Sequence, residues 1–293
     1  MSEFCNRLYI DSRGRTAYSA SPTDFSIDLV EGLSCQSDTV CHVRACSFPN
    51  SWWTVAPQRD RLALRLELPD RDLRICIFIQ LQHGYFDGFS FAEMMEAELN
   101  KATEAFILPE LPQWTVLFIA SETRVVAQFG DELLPHRRWQ FLSEQELIAA
   151  KQAGTWTGPD FNPSTLDLVD DVLRMGQSSG GINVGPEKWV SGHYDAQVIH
   201  DLYIHSDLGR PLTNGPRLGI DKDVIARIPV TSPHNDVCHY ESFAHQYDFI
   251  PVYFASNKIL RFTITDYKGR VVDLAGGGDV VLELLFYNHP KYM

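Results

Sequence analysis

ILRFTITDYKGRVVDL, residues 259–274, reads as a strand that turns and comes back. Successive side chains of an extended chain point to opposite sides, so Thr263 and Thr265 share one face and Ile264 takes the other. Asp266-Tyr267-Lys268-Gly269 supplies turn-forming residues, and Val271-Val272 carries the chain back. An antiparallel pair is expected here.

The same pattern spreads outward from this hairpin. Alternating or short β-branched and aromatic runs recur at Phe25–Leu29, Val40–Phe48, Leu62–Leu68, Leu73–Leu81, Trp114–Ala120, Arg124–Phe129, Asp201–Ser206, Val224–Val230, Ile259–Thr265 and Val280–Tyr287. Clusters such as Pro69-Asp70, Lys268-Gly269 and Ala275-Gly276-Gly277-Gly278 separate them. The spacing predicts an all-β, antiparallel protein with helical and loop insertions. No internal repeat is visible, which weighs against a propeller or solenoid.

Two helices interrupt the strands. Ser90-Phe91-Ala92-Glu93 has capping-box form, and Phe91, Met94, Met95, Leu99, Ala102 and Phe106 follow at helical spacing, predicting a helix over about 90–106. Ser143-Glu144-Gln145-Glu146 opens a second over about 143–153, stopped by Gly154. Residues 154–192 are rich in Gly, Pro, Ser, Asn and Asp and read as a long loop excursion, with a short helix possible in Leu166–Met175.

The start of the chain differs. In NRLYIDSRGRTAYSASPTDFSIDL, residues 6–29, the stretch 11–23 is too polar and turn-prone to add core. Residues 1–22 are therefore expected to be an arm, and 23–293 a single domain. Neighbouring subunits or the base of its own sandwich would order the arm, and deleting residues 1–20 would leave the soluble fold but impair assembly.

Composition bounds the function. Apolar residues make up 44% of the 293, enough for a sizeable core, and the formal charge of −13 disfavours a phosphate-neutralising surface. The basic triplet His136-Arg137-Arg138 is too short to change that, so no direct nucleic-acid binding is expected. No run of about 18 apolar residues predicts a membrane span, and the first 30 residues carry no apolar signal segment. Cys5, Cys35, Cys41, Cys46, Cys76 and Cys238 form no CxxC pair, and Cys41 and Cys46 sit in or beside apolar runs. Buried thiols in a reducing compartment are the expected reading.

GHYDAQVIHDLYIHSD, residues 192–207, is the best catalytic-looking segment. The His193/Asp195 and His205/Asp207 pairs have the i, i+2 spacing that puts two ligands on one face of a strand, as a two-His-one-carboxylate iron site needs. His234, His239 or His245 could complete it and Arg261 could hold a co-substrate carboxylate, giving an Fe(II)/2-oxoglutarate-type oxygenase as the alternative. Against it, the two pairs compete for one role, His193 follows the turn-like Ser191-Gly192, and no distal His sits on a convincing strand. A polar-faced strand with Leu202 and Ile204 turned into the core is the plainer reading. Gly176–Gly181 lacks the Lys-Ser/Thr of a phosphate loop, no Gly-x-Ser-x-Gly elbow occurs, and no histidine spacing singles out a cysteine nucleophile. No catalytic, cofactor-binding or metal residues are expected.

Pro49-Asn50-Ser51-Trp52-Trp53 stands out for another reason. Two adjacent aromatics cannot both point inward from one strand, so one packs under a loop or against another subunit.

The order of several motifs resembles a known family. Asn6-Arg7-Leu8-Tyr9-Ile10-Asp11-Ser12-Arg13, Thr23-Asp24-Phe25-Ser26-Ile27-Asp28-Leu29 and Val43-Arg44-Ala45-Cys46-Ser47-Phe48-Pro49-Asn50-Ser51-Trp52 open the series. His83-Gly84-Tyr85-Phe86 before the Met94–Asn100 helix, Phe141–Leu147, Leu202–Gly209 and Phe262–Gly269 continue it. This succession is similar to the penton (minor capsid) proteins of Polinton/Maverick and adintovirus-type elements. The resemblance implies a single jelly-roll β-sandwich that assembles as a homopentamer at the vertices of an icosahedral virion, beside a neighbouring major capsid protein. It carries over no catalytic residue or cofactor, and the 154–192 loop departs from it. A double jelly-roll major capsid protein is the alternative within the class, but 293 residues leave little room for two rolls plus the helices. Arg13, Arg15, Trp52 and Trp53 are the expected assembly contacts.

Overall fold

A computed structural model describes residues 5–35, 39–57, 59–68, 73–104, 113–130, 138–163, 166, 168–175, 182–183, 188–208, 224–242, 249–252, 256–275 and 277–288. The expectations placed on Phe106, His136, Arg137, His245 and the 176–181 loop lie outside these residues.

The strands in chain order are β1 (Cys5–Asp11), β2 (Asp24–Ser34), β3 (Thr39–Pro49), β4 (Arg61–Leu68), β5 (Leu73–Gln80), β6 (Trp114–Ile119), β7 (Arg124–Phe129), β8 (Arg138–Leu142), β9 (Ile182–Asn183), β10 (Lys188–His193), β11 (Asp201–Ser206), β12 (Val224–Pro229), β13 (Val237–Glu241), β14 (Ile250–Pro251), β15 (Ser256–Thr265) and β16 (Val281–Asn288). The helices are α1 (Gly88–Glu104), α2 (Glu144–Gln152) and α3 (Asp170–Leu173). The chain forms two compact units, one from residues 1–52 with 199–293 and the other from 53–198. That division falls elsewhere than the expected arm boundary at 22, and it breaks up the continuous 23–293 span.

The first unit is a jelly roll. One sheet runs β1-β16-β3-β13, with β14 also on β3, and the other runs β12-β11-β15-β2. Leaving aside the two-residue β14 and numbering the unit's other strands one to eight in chain order, the orders are first-eighth-third-sixth and fifth-fourth-seventh-second. First pairs with eighth, second with seventh, third with sixth and fourth with fifth, all antiparallel, which is a ribbon folded back on itself and rolled. Alternation fills the space between the sheets. Leu202 and Ile204 of β11, Leu260, Phe262 and Ile264 of β15, and Leu282 and Leu284 of β16 are all buried in one cluster with Phe25, Val43 and Phe48. Phe25 stacks on Phe262 at 5.5 Å.

Here β1 is the unexpected element. It pairs with β16 from Cys5 to Asp11, so the stretch read as an arm supplies the first framework strand. Ile10 enters the core, and the polar residues that follow are fastened by hydrogen bonds instead of apolar contact. The hairpin at 259–274 is also more asymmetric than its sequence suggests. Val271 returns only as a bridge to Thr265, with the Val272 amide donating to the Ile264 carbonyl at 3.0 Å. The Asp266 carboxylate holds the turn by accepting from the amides of Lys268 at 2.8 Å and Arg270 at 3.0 Å, and Gly269 supplies φ 78°.

The second unit has its own sheets, β6-β7-β10-β9 and β5-β4-β8. Leu62, Leu64 and Leu66 of β4 face an aromatic cluster of Trp114, Phe129, Trp139, Phe141 and Trp189, into which α1 sends Phe91, Met95 and Leu99. Ala63, on the other face of β4, lies with Cys76 and Leu142 beneath Leu147 and Ala150 of α2. Ser143 and Glu146 form the expected capping box of α2. The cap of α1 differs: Ser90 is not the acceptor but the donor, its amide bonding the Asp87 carboxylate at 2.8 Å, because the helix begins at Gly88, two residues earlier than expected. Within the expected 154–192 loop, α3, β9 and β10 are regular structure.

Candidate assembly surface

The four residues expected at subunit contacts lie in different surroundings. Arg13 sits in the short turn Ser12–Gly14, exposed, with its guanidinium on the Asp11 carboxylate at 2.8 Å from Nε. That hydrogen bond holds the Asp11 carboxyl below the usual carboxylate range. Arg15 donates to the Ser12 carbonyl at 3.0 Å and lies 3.6 Å from Asp279. Trp52 is buried at 3% exposure and stacks on Phe48 in its own unit's core, so it offers no face to a neighbour. Trp53 begins the other unit, half-buried, stacked on His83 at 6.1 Å, with its carbonyl accepting from Arg59 Nη2 at 2.7 Å. The doublet thus divides at the boundary of the two units, and neither indole needs a second subunit to explain it.

The histidine-rich segment does not converge either. His193 Nδ1 lies 2.7 Å from Thr123 Oγ1 in one unit, while His205 Nε2 lies 2.9 Å from Thr265 Oγ1 in the other. The Asp207 Oδ1 accepts the Arg261 amide at 3.1 Å, and burial pushes its carboxyl up. Among the described residues, no three His, Cys, Asp or Glu side chains come together as a metal ion would require. No described helix is long and apolar enough to cross a membrane.

The most distinctive open surface is the outer face of the β1-β16-β3-β13 sheet. Tyr9 is 63% exposed, Val237 46% and Val281 36%. Tyr9 and Val281, together with Ala45, Ser47, His239, Glu241 and Glu283, line a groove of about 410 Å³. The registers explain its shape. Ala45 lies between Glu283 and Glu241, and Ser47 between Val281 and His239, so the middle strand carries small side chains and the flanking strands large ones. Arg7 stiffens one wall, with Nε 3.0 Å from Glu283 and Nη1 3.0 Å from the Tyr9 hydroxyl, and Arg44 bonds Glu241 opposite.

Both edges of this sheet are open among the described residues, since β1 pairs only with β16 and β13 only with β3. The Ser12 amide donates to Val280, so even-numbered residues of β1 turn their backbone groups to β16 and Arg7, Tyr9 and Asp11 turn theirs outward. On β13, Ser242 donates to Arg44 and Asp236 accepts from Asn50, so Val237, His239 and Glu241 face the other free edge. The sequence signal for β13 is the alternation of Val237-Cys238-His239-Tyr240-Glu241, which is real but only five residues long.

No protein-family model and no curated protein matches the chain. Among solved structures it is similar to the selenomethionine-labelled mavirus penton protein, with a TM-score of 0.50 and 10% identity over 97% of this chain and 99% of that one. A chain of the Sputnik virophage structure follows at TM-score 0.42 and 11% identity, over 97% and 98%. At this identity the first likeness is one of fold, and it spans both units.

Proposed function

We propose that the chain is a structural capsid subunit, the minor or penton protein of a virion, forming homopentamers at icosahedral vertices beside a major capsid protein. The observation that carries this reading is the eight-strand jelly roll with a second unit inserted after its third strand, in a chain that shares its fold end to end with the mavirus penton protein. Among the described residues the second unit's strand orders do not repeat the jelly roll, which favours the minor protein over a double jelly-roll major one. The succession of sequence motifs points the same way. A vertex ring needs heterologous contacts, in which two different surfaces of each copy meet.

Sedimentation velocity on the purified chain tests the reading. The expected species is five copies of the 33.3 kDa chain, with fivefold rings in negative stain. A protein that stays monomeric at every concentration and gains thermal stability from Fe(II) with 2-oxoglutarate would overturn it in favour of the oxygenase.

A further inference from the structure

We propose that neighbouring copies join by pairing β1 of one with β13 of the next, antiparallel, placing Arg7 opposite Glu241, Tyr9 opposite His239 and Asp11 opposite Val237. This rests on the capsid reading and says which surfaces make its ring.

Strand direction favours it. The path β1-β16-β3-β13 has four strands, each antiparallel to the last, so its two edge strands run in opposite directions. Any head-to-tail joining of two copies then sets β1 against β13 in antiparallel sense, which extends the sheet without changing its pattern. The backbone phase matches as well. Arg7, Tyr9 and Asp11 turn their backbone groups away from β16 on one strand, and Val237, His239 and Glu241 turn theirs away from β3 on the other. In the stated register these six residues form the mutually facing pairs of an antiparallel ladder, and Leu8 and Ile10 keep their positions toward the core.

Side chains agree with the backbone. All six project from the outer face that carries the groove, so the joined edges place the exposed Tyr9 ring beside His239 and bring the Arg7 guanidinium to the exposed Glu241 carboxylate. Charged residues on an edge strand ordinarily keep other strands away. Here their signs are opposite across the joint, and that turns a deterrent into a selector of register. The two edges are different surfaces of one copy, as a ring demands.

Charge exchange on the full-length protein is the test, read by sedimentation velocity. Arg7→Glu and Glu241→Arg alone are each expected to weaken association by about tenfold or more, and the double variant to recover it. Recovery cannot arise within one chain, because two strands separate β1 from β13 and put the partners roughly 14 Å apart. Tyr9→Pro is a second, charge-free variant: it removes an N–H that faces the free edge and leaves the β1–β16 ladder intact, so it should lower association while the circular dichroism spectrum stays unchanged. A wild type that forms pentamers, with single variants and Tyr9→Pro assembling equally well or a double variant no better than the singles, would overturn the edge pairing and leave the capsid reading standing. A wild type that never assembles overturns both.

Discussion

Ser12 and Val280, 268 positions apart, hold each other through two hydrogen bonds of 2.9 Å. The Ser12 amide donates to the Val280 carbonyl, and the Val280 amide donates to the Ser12 hydroxyl. Ser12 is fully buried, and its hydroxyl also donates to Asp279 at 3.1 Å. The joint lies where the first and eighth strands of the jelly roll end and begin, so it fixes the register of the whole pair.

Ser12→Ala leaves the buried Val280 amide without its partner and is expected to destabilise the fold by about 1–3 kcal/mol in urea unfolding. Deleting residues 1–20 removes β1 outright and uncovers β16, so it should abolish the cooperative unfolding transition. A truncated chain that unfolds at the wild-type urea concentration would return residues 1–20 to the status of a dispensable arm.

Asp87 and Ser90 separate two accounts of how α1 starts. Asp87→Ala should lower the melting temperature, at a cost of about 0.5–2 kcal/mol, because the Ser90 amide and hydroxyl both donate to the Asp87 carboxylate. Ser90→Ala keeps the amide bond and should cost less. Equal or reversed effects would place the cap on Ser90.

Of Cys35, Cys41, Cys46, Cys76 and Cys238, Cys41 and Cys46 should be the slowest to react with a thiol reagent in the native state. Both are buried, and burial pushes the Cys41 thiol up to about 12 and the Cys46 thiol higher still. Cys35 is only half-buried and should be labelled first. Mass spectrometry of peptides after timed labelling gives the order, and early modification of Cys41 or Cys46 would contradict the packing.

Asp207 should make stability depend on pH in a predictable sense. Its folded value is raised, chiefly by burial, so its contribution is favourable below the unfolded value near about 3.9 and is lost as pH rises through the folded value. Asp207→Asn keeps an oxygen for the Arg261 amide and removes the charge. The variant should therefore match the wild type in acid and exceed it at neutral pH, by less than about 1 kcal/mol because the residue is exposed to solvent. Melting curves from about pH 3 to about pH 8 measure this, and a variant less stable at neutral pH would refute it.

Much of the strand content was local and therefore legible. Each run picked out by alternation, from Phe25–Leu29 to Val280–Tyr287, lies largely within a strand of the structure, because a period of two is written in neighbouring residues. The missed strands carry weaker local signals. β10 reads Lys-Trp-Val-Ser-Gly-His, small and polar at its end, and β1 is one short run before a polar stretch, read with it as an arm. Sequence order also pointed to the jelly roll through a family resemblance, and periodicity alone could not have chosen it.

Other features came only from tertiary structure. Trp52 and Trp53 look equivalent in sequence, yet one fills the jelly-roll core and the other begins a separate unit. The same holds for β1 and β13: nothing in their residues says that, among the described residues, each has a strand neighbour on one side only. Strand order depends on contacts between segments as much as 282 positions apart, where the cost of closing the chain is set against apolar area buried across two sheets. Local sequence can make a strand and choose its inward face, but which edges stay open is decided by the packing of the whole chain.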